Sequence, residues 1–140
     1  MRYYIITLFV LLMACQSKQS SKDNVDSTKI SNKVFFKNIN DGDTLTNPFV
    51  IEMGVVGMRI KPAGLIEAGT GHHHLIIDKG FMDYGEIIPM DKQNIHYGKG
   101  DTVAKVELET GPHTLTLQFA NGMHMSYGEQ FSYTINVYVK

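Results

Sequence analysis

At 140 residues, with 13 Lys+Arg against 14 Asp+Glu, the chain has room for one domain and lacks the basic surface needed to track phosphate backbones, which excludes a dedicated nucleic-acid binder. Its single Cys excludes a disulfide framework, a Cys-rich zinc knuckle and an iron–sulfur cluster. With 19% charged and 10% aromatic residues it reads as a folding chain and not as a disordered polyelectrolyte.

Residues 1–14 have the form of a secretory signal: Arg2 supplies a positive start, and residues 3–14 (YYIITLFVLLMA) are an apolar run broken only by Thr7. The run is too short to cross a hydrocarbon core of roughly 30 Å as a helix. It ends Leu12-Met13-Ala14-Cys15, a small residue directly before a thiol, which resembles the bacterial lipoprotein box. That resemblance implies a lipidated Cys15 as the first mature residue and a membrane anchor outside the cytoplasm. Residues 15–32 then form the lipidated Cys and a spacer rich in Ser, Lys, Asn and Asp, with almost nothing to bury.

From residue 33 to 140 the pattern is that of one β-domain. Short alternating runs separated by turn residues predict strands at 33–38, 48–56, 71–78, 102–108, 112–119 and 130–139, with a short edge piece at Ile87-Ile88. In the second run Phe49, Ile51, Met53 and Val55 share a face. In the last, Phe131, Tyr133, Ile135, Val137 and Val139 point inward while Ser132, Thr134 and Asn136 point outward. No window holds a 3.6-residue apolar period over a helix length. The expected fold is an all-β, immunoglobulin-like antiparallel β-sandwich of about seven strands.

The six histidines all fall between positions 72 and 124. Period-two geometry puts His72 and His74 on one face of a strand and His73 on the other with Leu75 and Ile77. Two imidazoles at that spacing can reach one ion. His96 falls in a turn-like Asn94-Ile95-His96-Tyr97-Gly98-Lys99-Gly100, and His124 in a loop between Asn121 and Gly128. Loops at one end of a sandwich converge, so His72, His74, His96 and His124 are the candidate ligands of a nitrogen-rich metal site for Cu or Zn. Met123 and Met125 flank His124, and thioethers there would favour Cu(I), although Met also serves as filler. His73 and His113 are assigned structural roles, His113 because it opens a strand after Gly111-Pro112.

Several separated motifs agree in order: Gly57-Met58, Pro62-Ala63-Gly64, GTGHHHLIID at 69–78, Ile88-Pro89, HYGKG at 96–100, GPHTLTLQFA at 111–120 and HMSYG at 124–128. Together they resemble the bacterial exported domain of unknown function numbered 4399, over about residues 34–139. The resemblance implies a small exported β-domain with His and Gly signatures and no established activity. Two positions depart from its pattern: Asn121 stands where an acidic residue is expected, and Asp101 replaces a Gln after the Gly-Lys-Gly turn. An acidic residue there would charge-balance a cation, so Asn121 weakens that part of the site.

Three functions are consistent with these residues. The first is a cell-envelope lipoprotein holding Cu or Zn for trafficking, buffering or stress defence. The second is a non-catalytic envelope interaction module with a structural His cluster. The third is a metal-dependent enzyme, for which Glu67, Glu86 and Glu129 are unplaced bases. Hydrolase elbows, metalloprotease helices and phosphate-cradling loops do not occur in the sequence, so a non-enzyme is expected. A blue-copper centre is disfavoured because Cys15 is committed to the anchor. The expected partners are the membrane, a metal ion or an envelope protein, and the expected state is a monomer.

Overall fold

The computed structural model describes residues 34–140. The signal at 1–14, Cys15 and the spacer lie outside the described residues. Within them, nine strands run in order: β1 (Val34–Phe36), β2 (Thr44–Leu45), β3 (Phe49–Val55), β4 (Arg59–Ile60), β5 (Thr70–Ile77), β6 (Asn94–His96), β7 (Val103–Val106), β8 (Gly111–Ala120) and β9 (Ser132–Val139). One 3-10 turn, Glu129–Phe131, precedes β9. No helix among the described residues is long and apolar enough to cross a membrane.

The strands make an all-β sandwich. A three-stranded sheet has the order β1-β3-β7, and a six-stranded sheet the order β2-β9-β8-β5-β4, with β6 also paired to β5. Alternation explains the core between them. Phe49, Ile51 and Met53 of β3 face Leu115, Leu117 and Phe119 of β8 and Ile135, Val137 and Val139 of β9, all in one apolar cluster. These are the inward positions that period two selects in the sequence.

To the expected sandwich the structure adds three short strands and two parallel pairings. The additional strands β2, β4 and β6 are two or three residues long, too short for an alternation signal. Two pairings are parallel, β2 with the end of β9 and β4 with the start of β5. Residues 94–96, expected as part of a turn, form the strand β6. Ile87 makes a single bridge to Met125, and no strand forms there.

Strand β5 lies inside the larger sheet and is buried at all eight positions. Its inner face meets the core. Its outer face is covered by the long connection between β5 and β6: the Lys79 carbonyl accepts from Thr116 Oγ1 at 2.8 Å, the Met82 amide donates to Gln118 Oε1 at 3.1 Å, and the Met82 carbonyl accepts from Ser126 Oγ at 2.8 Å. Thr116 and Gln118 are thereby buried with partners, as buried polar groups require.

Leu117 is fully buried at the centre of the core, and Leu117→Ala is expected to cost about 2–5 kcal/mol through lost burial and the cavity left behind. Urea unfolding monitored by circular dichroism checks this.

Candidate metal centre

The pleat of β5 splits the His triplet. His73 points into the sandwich, where its ring meets Phe119 edge-on with centroids 5.0 Å apart. His72 and His74 point to the outer face. Antiparallel pairing of β6 with β5 sets His96 directly across from His74, so three imidazoles share one patch. His124 reaches the patch from the loop after β8.

The nitrogens converge. His72 Nε2 lies 3.0 Å from His74 Nε2 and 3.2 Å from His96 Nε2, and His124 Nε2 lies 3.1 Å from His96 Nε2. The ligand atoms of His72, His74 and His96 all lie within 4.8 Å of one another, a compact trio that His124 joins at its edge. All four sequence candidates are therefore brought together. His73 and His113 are not part of the group.

Two local devices position the loop-borne rings. At Gly98 an added Cβ would collide with Cε1 and Nε2 of His96, so the imidazole occupies the space where a side chain would stand. The glycine at 98 is required by this close approach, while Gly100 carries the positive φ of 83°. Asn121 organises the other loop. Its Oδ1 accepts from the Met123 amide at 2.9 Å and the Met125 amide at 3.1 Å, bracketing His124, which adopts a left-handed φ of 67°. Asn121 thus shapes the loop, a task its amide oxygen performs without a charge. Asp101 is exposed beside a surface pocket lined with His96, Gly98 and Lys99.

The electrostatics favour the neutral forms of His72, His74 and His96. Burial, with help from His96 and His124, lowers the pKa of His72 from 6.5 to about 4. Burial and the neighbouring histidines take His74 to about 2, and burial followed by His124 lowers His96. Hydrogen bonding alone serves the group badly. Each neutral imidazole has one N–H, yet the Nε2 atoms of His72 and His96 each face two other nitrogens. The Nδ1 atoms of His72 and His74 are buried without a hydrogen-bond partner. Four lone pairs directed at one cation would resolve the conflict at Nε2.

None of the candidate carboxylates joins the trio. Glu67 pairs with Arg59 at 2.8 Å and with Lys61, and Glu86 accepts from the Asp83 amide at 3.0 Å. Glu129 opens the 3-10 turn. Met123 is exposed, and Met125 is held by the backbone bridge to Ile87.

His113 forms a separate clamp. Its Nδ1–H donates to Asp78 at 3.0 Å and its Nε2–H to the Glu109 carbonyl at 2.9 Å. Burial lowers its pKa, but the Glu109 carbonyl and Asp78 outweigh that and raise it overall.

A family model described as a domain of unknown function, DUF4399, matches residues 51–140. The chain belongs to this family. The match starts within β3 and includes all four clustered histidines. No curated protein matches the chain, and no solved structure matches it.

Two opposite pH effects follow. The lowered values of His72 and His74 give stability that is full above about pH 6.5 and is lost as pH falls from there through about 4. The raised value of His113 gives stability that is full below about pH 6.5 and is lost as pH rises through its folded value. Imidazole 15N NMR at pH 5.5 should find His72 and His74 neutral and His113 protonated. His113→Ala should cost about 1 kcal/mol at pH 5.5, discounted because Asp78 is partly exposed, and less at pH 9.

Proposed function

We propose that this protein is an exported, lipid-anchored cell-envelope protein. It holds a transition metal ion, Zn or Cu, for trafficking, buffering or stress defence. His72, His74 and His96 are the ligands, with His124 as the fourth. The convergence of the His72, His74 and His96 nitrogens, with His124 Nε2 3.1 Å from His96 Nε2, carries the reading. Ligands at nitrogen–metal bonds of ~2.0–2.1 Å in a tetrahedral site stand roughly 3.3 Å apart, close to the 3.0 Å and 3.2 Å that separate His72 Nε2 from those of His74 and His96. All-imidazole ligation suits Zn and Cu(II), and the exposure of Met123 gives no geometric support for a thioether ligand.

Holding, and not catalysis, is the role that fits. No carboxylate base joins the trio among the described residues, and a fourth imidazole, His124, stands beside it to take the remaining position. The anchor is read from Leu12-Met13-Ala14-Cys15, which also commits the only thiol.

The test is elemental analysis of untagged protein followed by competitive titration with Zn(II), Cu(II) and Cu(I). One ion per chain is expected, with a Kd tighter than ~1 µM. His72→Ala with His74→Ala should abolish stoichiometric binding while the β-sheet circular dichroism persists. Gly98→Ala keeps every ligand residue in the sequence but displaces the His96 ring, and should weaken binding about 10–100-fold. Absence of binding in the unmodified chain would overturn the proposal and favour the envelope interaction module with a structural His cluster.

A further inference from the structure

The loop between β4 and β5 presents apolar side chains to solvent in a fixed position. Leu65 is 95% exposed and Ile66 57%. The loop is nonetheless well tied: the Ala63 amide donates to the Gly98 carbonyl at 2.8 Å and the Gly64 amide to the Gly122 carbonyl at 2.8 Å. Arg59 and Lys61 both close onto Glu67, so one carboxylate offsets one of the two cations beside the tip and leaves a single positive charge there. A held loop ending in bare Leu-Ile has an unfilled need for an apolar partner.

Strand register identifies that end of the sandwich. Val34 pairs with Val55 and Arg59 with Thr70, while Ala120 is bridged to Ser126. The start of the domain, the Leu65-Ile66 loop and the His124 loop thus lie at one end. Val56, 59% exposed, and Met123, 57% exposed, belong to the same end. The loops at the other end, at 37–43 and 107–110, carry Asn38, Asn40, Asp41, Asp43, Glu107 and Glu109, with Lys92 beside the second of them and the exposed Met90 two residues before it.

The chain therefore joins the domain at its apolar end. Residues 16–32 span no more than roughly 60 Å, so an anchor at Cys15 holds the domain within that distance of a bilayer, with the tether entering at this end. We infer that Leu65 and Ile66, flanked by Val56 and Met123, dock on the lipid surface and insert at the headgroup boundary. The inference rests on the anchored reading above for its occupant. Docking sets the domain upright on its apolar end and turns the His124 loop and the end of β6 that carries His96 toward the membrane surface.

The chain has no Trp, so a single introduced indole reports one position. The chain from Cys15 onward, which retains the whole described fold, is coupled through that sole thiol to maleimide-lipid vesicles of phosphatidylethanolamine and phosphatidylglycerol. Leu65→Trp should then show blue-shifted emission quenched by brominated acyl chains, whereas Tyr138→Trp, at the other end, should show neither. Leu65→Ser with Ile66→Ser should lower vesicle partitioning of the uncoupled chain at least about tenfold. An unshifted Leu65→Trp on coupled vesicles overturns docking even if the anchor stands. A blue shift without vesicles that grows with protein concentration also overturns it and assigns the tip to a second copy. Mass spectrometry of Cys15 from the expressed full chain tests lipidation separately, so failure of the anchor and failure of docking are distinguishable.

Discussion

The arrangement depends on burying three consecutive histidines in an interior strand. A pleated strand sends neighbouring side chains to opposite faces, so a His triplet on β5 cannot stay together. The sheet sends one ring into the sandwich and two to the outer face, and every other element near the site serves those two. Strand β6 adds a third ring by direct pairing, the β8–β9 loop adds a fourth, and the long β5–β6 connection closes the same face against water. Were β5 an edge strand, His72 and His74 would be solvated and ordinarily basic.

Burial is costly for groups this polar, and the cost falls unevenly. His73 is wholly buried with neither ring nitrogen hydrogen-bonded, and burial lowers its pKa to about 4. Its backbone carbonyl accepts from the Tyr97 amide at 3.1 Å, so the strand carrying the ligands is fastened where the chain turns after β6. The outer rings share the penalty and also direct their nitrogens at one another. Unsatisfied polar groups collected at a single focus are where a binding reaction has the most to gain.

Much of this was legible in the sequence. Alternation at Phe49-Ile51-Met53 and at Ile135-Val137-Val139 marks the core because one face of each strand is apolar and the other is not. The His72/His74 pair follows from the same period. The pairing partners did not follow. Nothing local sets His96 across from His74, since β6 is three residues long and its register comes from the sheet. The parallel strands β2 and β4 were invisible for the same reason. Gly98 and Asn121 were noticed for motif reasons, but their work lies in space: one leaves room for a ring and the other holds two amides. An acidic residue expected at position 121 suggested charge balance, whereas the oxygen there faces the backbone.

The left-handed backbone at His124 gives the cluster unequal stiffness. Three rings ride on paired strands and move only if the sheet deforms. The fourth sits on a residue in a conformation that costs of order 1–3 kcal/mol outside glycine, held by an Asn121 bracket and a bond from the Ile88 amide to the His124 carbonyl at 2.9 Å. The centre therefore combines two kinds of support: three rings are set by strand pairing, and the fourth by a strained residue that its hydrogen bonds hold in place.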